Sequence, residues 1–144
     1  MTAAATALTL HASAVVWHGR GVLLRGASGS GKSALALRLL QAGARLVADD
    51  LVTVSAERGR LIACSPRPSG LIEARGLGIF HLAAAATAPL ALAVDLMPSA
   101  VLERLPEVAS ETLLGITLPR IALDAGVPGA PALVLLALTA RRAG

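Results

Sequence analysis

The residues Gly26-Ala27-Ser28-Gly29-Ser30-Gly31-Lys32-Ser33 satisfy the phosphate-binding pattern G-x-x-x-x-G-K-[ST] at every fixed position. Glycines at these points let the backbone turn with its N–H groups directed inward, so that a polyphosphate can lie against bare amides. Lys32 brings a compact positive charge to the β- and γ-phosphates, and the Ser33 hydroxyl is placed to hold Mg²⁺. Lys32 is the only lysine among the 13 basic residues, the others all being arginine. Lysine is thus retained where a small ammonium must fit between phosphate oxygens. The overlapping set Gly29-x-Gly31-x-x-Ala34 also matches a dinucleotide fingerprint. No acidic residue follows a second strand in the ribose-binding manner, so a nucleoside triphosphate is the expected ligand.

Further acids lie downstream. Arg45-Leu46-Val47-Ala48 reads as an apolar strand that ends in the adjacent carboxylates Asp49 and Asp50. Beside a triphosphate and a metal, two such carboxylates can divide the work, one addressing the ion and the other accepting a hydroxyl proton. The segment Glu73-Ala74-Arg75-Gly76-Leu77-Gly78-Ile79 then combines a carboxylate, a guanidinium and two glycines. Its acid can reach a divalent ion, and its arginine can bridge phosphate oxygens.

These residues need a scaffold, and the flanking sequence supplies one. Gly21-Val22-Leu23-Leu24-Arg25 reads as a short buried strand before the loop, and residues 34–40 are strong helix formers after it. Gly43 is a natural C-cap. Together with Arg45–Ala48 this makes a strand–helix–strand unit, with its two strands in one sheet and parallel or nearly so. The acidic pair then falls at a strand's C-terminal end beside the loop, where such sheets bind ligands. Upstream, residues 8–17 read as one opening strand, with a turn over His18-Gly19-Arg20-Gly21. Downstream, residues 51–56 and 61–65 form a hairpin about Glu57-Arg58-Gly59-Arg60, which makes the sheet mixed. Residues 66–70 are loop because of their two prolines. Residues 90–96 read as a buried strand, and 112–123 as two short strands meeting at Pro119-Arg120. Residues 131–142 read as a closing strand and a short helix, approached through a mobile, proline-interrupted start near Ala125.

Composition bounds the function. The chain of 144 residues is 55% hydrophobic, with Trp17 and Phe80 its only aromatic residues, which disfavours a stacking platform for single-stranded nucleic acid. Its net charge of +4 comes from scattered arginines and not from a basic run, so no nucleic-acid partner is expected. Cys64 is the single cysteine, which excludes an internal disulfide and fits a reducing cytoplasm. The alanine-rich N-terminus lacks a basic leader and is not expected to be a signal peptide, and residues 125–140 are too broken by proline and glycine to span a bilayer. A single domain over residues 1–144 is the expectation.

Taken together, the loop 26–33, the Asp49-Asp50 strand end, the E-x-R-G-x-G-I segment at residues 73–79, His11 and Glu103-Arg104-Leu105 resemble the HPr kinase/phosphorylase family. The resemblance spans nearly the whole chain. It implies an α/β fold with a single P-loop domain and a mixed sheet, of the phosphoenolpyruvate-carboxykinase-like kind. It also implies a bacterial, cytoplasmic, ATP- and Mg²⁺-dependent kinase that phosphorylates a serine of the phosphocarrier protein HPr, with homo-oligomers, commonly hexamers, as the assembly. By position, the resemblance gives Asp50 as the base, with His11 and Lys32 beside it. Ser33 and Glu73 would hold the metal with Asp49 as near neighbour, and Arg104 and Arg75 would be catalytic arginines. Family members commonly carry a large N-terminal domain, which the position of His11 leads us to expect is missing here. The family's late loop P-x-x-P-G-R-N stands here as Asp124-Ala125-Gly126-Val127-Pro128-Gly129-Ala130. Its arginine is gone, which counts against phosphorolysis of phospho-HPr more than against transfer. A P-loop small-molecule kinase, a non-catalytic ATP-sensing module and an assembly-coupled ATPase are the alternative readings.

Overall fold

The computed structural model describes residues 6–68 and 70–143. The expectations for residues 1–5 of the N-terminus and for Ser69 in the proline loop lie outside the described residues.

The described residues fold as eleven strands and two helices. The strands are β1 (Ala7–Leu10), β2 (Ala12–Trp17), β3 (Arg20–Arg25), β4 (Arg45–Ala48), β5 (Val52–Glu57), β6 (Arg60–Cys64), β7 (Leu71–Ala74), β8 (Gly78–His81), β9 (Thr87–Leu96), β10 (Ala109–Leu113) and β11 (Ile116–Leu123). The helices are α1 (Lys32–Gln41) and α2 (Ala130–Thr139), and a single 3-10 turn covers Ser99–Val101.

One mixed sheet runs in the order β1-β5-β6-β9-β3-β2-β4, with β11 also on β9 and β10 on β11. The strand–helix–strand unit holds with one refinement. β3 and β4 are parallel to each other but do not touch, because β2 lies between them and runs antiparallel to both. Strand β9 is the hinge of the architecture. Its first residues pair antiparallel with β6, and its later ones pair parallel with β3 and with β11.

Both faces of β2, β3 and β4 are covered, so these strands read as apolar runs, whereas β1, β5, β6 and β10 alternate in burial. Val22 and Leu24 of β3 join a core with Leu35 and Leu39 of α1 and Val134 and Leu138 of α2. Leu23, between them, points the other way into a second core with Val47, Val52, Val54, Leu61 and Leu118. The curled sheet therefore supplies both walls of that second core.

Four expectations need correction. Residues 8–17 form two strands, because the bend at His11 hands β1 to β5 and β2 to β3 and β4. The strand expected over residues 90–96 begins earlier, at Thr87. The last hairpin turns at Leu114-Gly115, not at Pro119-Arg120, and β11 runs through the proline. Pairing with β9 starts only at Arg120, so the missing amide of Pro119 falls outside that ladder. Finally, residues 130–139 form one helix with no closing strand, entered at Ala130-Pro131, where proline costs no hydrogen bond.

Candidate functional site

The loop 26–33 leaves the C-terminal end of β3 and runs directly into α1. Gly29 and Gly31 sit at φ 80° and 100°, a region that side chains with a Cβ rarely enter. Gly26 is required for a different reason: a Cβ there would lie 2.4 Å from Ser30 Oγ. The N-terminus of α1 has no side-chain cap and no acid in its first turn, so its leading amides remain available to an anion. Lys32 curls its ammonium back over the loop, donating to the carbonyls of Gly26 at 2.8 Å and Ala27 at 3.2 Å. Ser30 Oγ is buried and has no hydrogen-bond partner among the described residues. A cradle of bare amides, one ammonium and one unpaired hydroxyl fits a polyphosphate.

The acidic pair arrives on β4. Asp49 faces the loop: its Oδ1 accepts from Ser33 Oγ and from Ser13 Oγ, each at 2.7 Å, and its Oδ2 accepts from the Glu73 amide at 3.2 Å. Loop, sheet and the β7–β8 hairpin thus meet on one carboxylate. A hydroxyl and a carboxylate in contact at the end of the phosphate loop are hard oxygen donors suited to Mg²⁺. Among the described residues no three His, Cys, Asp or Glu side chains converge as a metal cage. Glu73 approaches Asp49 by its backbone amide, and the residue also lines the neighbouring cavity.

Asp50 points elsewhere. Its backbone sits at φ 69°, and the Leu51 amide closes onto the Asp49 carbonyl at 2.8 Å, a γ-turn with a non-glycine at its centre. This strained turn leaves the Asp50 carboxylate 66% exposed, with the Arg67 guanidinium 3.4 Å away. A cavity of about 270 Å³ opens there, lined by Asp49, Asp50, Arg67, Leu71, Glu73 and Ile79 among others.

His11 lies at the same end of the sheet. Its neighbours Leu10 and Ala12 pair with Val52 and Arg25, which follow the acidic pair and precede the loop respectively. Two of the sequence-derived candidates lie further out. Arg75 occupies the exposed tip of the β7–β8 hairpin, and Arg104 lies on the exposed connection 102–108. No ion pair among the described residues links either arginine to the acidic pair. The connection bearing Arg104 borders a larger apolar cavity of about 660 Å³ beneath α2. None of the loop 26–33, Asp49, Asp50 or Glu73 lines that cavity.

Sequence reasoning missed several positioning groups. Ser13 is fully buried in an apolar strand, and only its place opposite the end of β4 reveals its role on Asp49. Arg38 of α1 donates to the carbonyls of Ala125, Val127 and Pro128 at 2.9, 3.2 and 2.6 Å. The start of the C-terminal segment, expected to be mobile, is thereby tied to the phosphate-loop helix. Arg25, the last residue before the loop, donates to Asp95 at 2.9 Å and to both carboxylate oxygens of Glu111. The hydrogen bonds from Arg25 hold the Glu111 carboxyl below its ordinary range, and burial offsets this in part.

Comparison with known proteins agrees with this geometry. The family profile described as HPr Serine kinase C-terminal domain matches residues 2–124. The HPr kinase/phosphorylase of Clostridium tetani is 51% identical over 74 residues, covering 51% of this chain and 24% of that enzyme. That of Clostridium acetobutylicum is 43% identical over 76 residues, covering 52% and 25%. The chain thus spans about a quarter of the length of those relatives. The solved structure of the Hpr(Ser) kinase/phosphatase from Coxiella burnetii superposes with a TM-score of 0.78 at 29% identity, covering 88% of this chain and 91% of that one. A phosphate loop, a carboxylate bound to its serine, and a profile match over most of the chain lead to one conclusion: this chain belongs to the HPr serine kinase C-terminal domain family.

Proposed function

We propose that this domain transfers the γ-phosphoryl group of ATP to a serine hydroxyl of HPr in the cytoplasm. The observation that carries the reading is the division of labour in the acidic pair. Asp49 is engaged by Ser33 of the loop, while Asp50 is turned away from it into an accessible cavity. In this reading the loop amides and Lys32 hold the triphosphate. Ser33 and Asp49, with Glu73 nearby, would hold Mg²⁺, which would supply charge neutralisation for the phosphates when bound. Asp50 accepts the proton of the seryl hydroxyl, whose oxygen forms a bond to the γ-phosphorus as the bond to the β,γ-bridging oxygen breaks and ADP leaves. His11 flanks that proton transfer, and Arg75 and Arg104 meet the bound acceptor from the exposed connections. Exposed Leu77, Ile79 and Phe80 on the β7–β8 hairpin fit a homo-oligomer.

The test is a transfer assay with labelled ATP and purified HPr, followed by orthophosphate and phospho-HPr in the reverse direction. Label on a seryl group of HPr, abolished by Lys32→Ala, is the expected result. Label on a small metabolite, or release of orthophosphate alone, would replace the reading with a metabolite kinase or an ATPase. Nucleotide binding without turnover would leave a sensing module.

A further inference from the structure

The acceptor side of the site poses an electrostatic problem. Three carboxylates, Asp49, Asp50 and Glu73, line the cavity beside Asp50. A phosphoseryl product carries close to two negative charges and must reside next to them until it leaves. Lys32, whose ammonium lies over the loop beside the carbonyls of Gly26 and Ala27, serves the nucleotide from the loop side. Among the described residues lining the cavity, Arg67 is the sole cation.

Arg67 is also presented in an unusual way. It stands between Pro66 and Pro68, so both neighbours have fixed φ and the α region is disfavoured for Arg67 itself. Its amide donates to Ser65 Oγ at 3.3 Å. Three residues on, Gly70 adopts φ 90°, and its carbonyl accepts from the Leu82 amide at 2.6 Å, which pins the loop to the base of the β7–β8 hairpin. The two prolines and the pinned glycine limit the backbone positions from which this guanidinium can reach into the cavity. Its pairing with Asp50 is loose: the separation is 3.4 Å, and the side chains are 57% and 66% exposed. Such exposed pairs contribute little to stability, so the pairing explains neither the two prolines nor the pinned loop. A phosphate dianion can offer the same guanidinium two parallel, charge-assisted hydrogen bonds.

We propose that Arg67 is the acceptor-side phosphate ligand, which takes hold of the seryl phosphoryl group opposite the phosphate loop. The assignment rests on the seryl-kinase reading above. In the ground state Arg67 faces Asp50. After transfer it exchanges the carboxylate for the phosphoryl oxygens, while the proton stays on Asp50 until product departs. Product affinity, and not nucleotide affinity, is therefore what Arg67 governs.

The experiment compares wild type, Arg67→Gln and Arg67→Lys for binding of phospho-HPr, HPr, ATP and free orthophosphate. Arg67→Gln is expected to weaken phospho-HPr by about tenfold and to leave ATP and HPr within about twofold, with Arg67→Lys recovering part of the loss. Orthophosphate, which the loop 26–33 also accommodates, is expected to bind all three alike. If Arg67 served only to steady Asp50, Arg67→Gln would lower kcat and leave phospho-HPr affinity unchanged, and the assignment would fall. Equal weakening of orthophosphate and phospho-HPr would overturn it as well. Should wild type fail to phosphorylate HPr, the kinase reading fails on its own. Free phosphoserine then decides the assignment by ³¹P line broadening: loss of the effect in Arg67→Gln supports it, and persistence overturns it.

Discussion

Two adjacent aspartates do different things because the chain reverses between them. Asp49 is the last residue directed at the loop, and Asp50 is carried past it by a turn that costs about 1–3 kcal/mol in a non-glycine residue. That cost gives a prediction with opposite signs in two measurements. Asp50→Gly should raise the urea midpoint by the equivalent of about 1 kcal/mol, because glycine occupies φ > 0 freely. The same variant should lose phosphoryl transfer by about 10²–10⁴-fold, since no proton acceptor remains. Asp50→Asn should lose transfer as severely with no gain in stability, because asparagine tolerates this backbone about as well as aspartate does. A more stable, inactive glycine variant is the signature of strain held for chemistry. A less stable one would show that the Asp50 side chain is a structural tie.

At the scale of elements, the phosphate loop depends on what stands behind it. A Cβ on Gly31 would meet Ala125 Cβ at 2.9 Å, whereas one on Gly29 would meet nothing within 4 Å, although both glycines have positive φ. Gly31→Ala should therefore weaken nucleotide binding more than Gly29→Ala does. Adding Ala125→Gly to the Gly31 variant should return it to the level of Gly29→Ala. Titration with a fluorescent ATP analogue checks the order. Failure of the double variant to recover would mean that the backbone conformation alone decides. Such spacing rules made the loop, its helix and the acidic strand end legible in the sequence, because a phosphate site dictates residue type and interval. The hairpins show where legibility stops. His18-Gly19 and Arg58-Gly59 turn with positive φ at both central positions, and their glycines betray them. Leu114-Gly115 turns the same way, at φ 49° and 79°, yet leucine is no turn former and the nearby Pro119 attracts the eye. Arg67 was unreadable for another reason: its meaning comes from a cavity formed by residues brought together only by the fold.

For the whole molecule, the ion cluster ahead of the loop sets how the fold responds to acid. Arg25 of β3 joins Asp95 of β9 and Glu111 of β10, and Arg120 of β11 approaches Asp95 at 3.9 Å, so four strands share it. The Glu111 carboxyl is held below its ordinary range by the hydrogen bonds from Arg25. A depressed folded-state value means that its stabilisation is fully present above the unfolded-state value and is lost as pH falls through the folded one. Urea midpoints should therefore drop between about pH 6 and about pH 3 in wild type. In Glu111→Gln the drop should be smaller, from a starting stability about 2 kcal/mol lower. Parallel acid profiles for the two proteins would remove Glu111 from that role.

The double allegiance of β9 also bears on how the protein is born. A nascent chain that has emerged as far as His81 already carries the loop, both aspartates, Arg67 and Glu73. It still lacks the strand to which β3 and β6 both attach. During translation the assembled active site must therefore wait for residues that take no part in its chemistry, and a ribosome stalled before Thr87 should display a polypeptide unable to retain nucleotide.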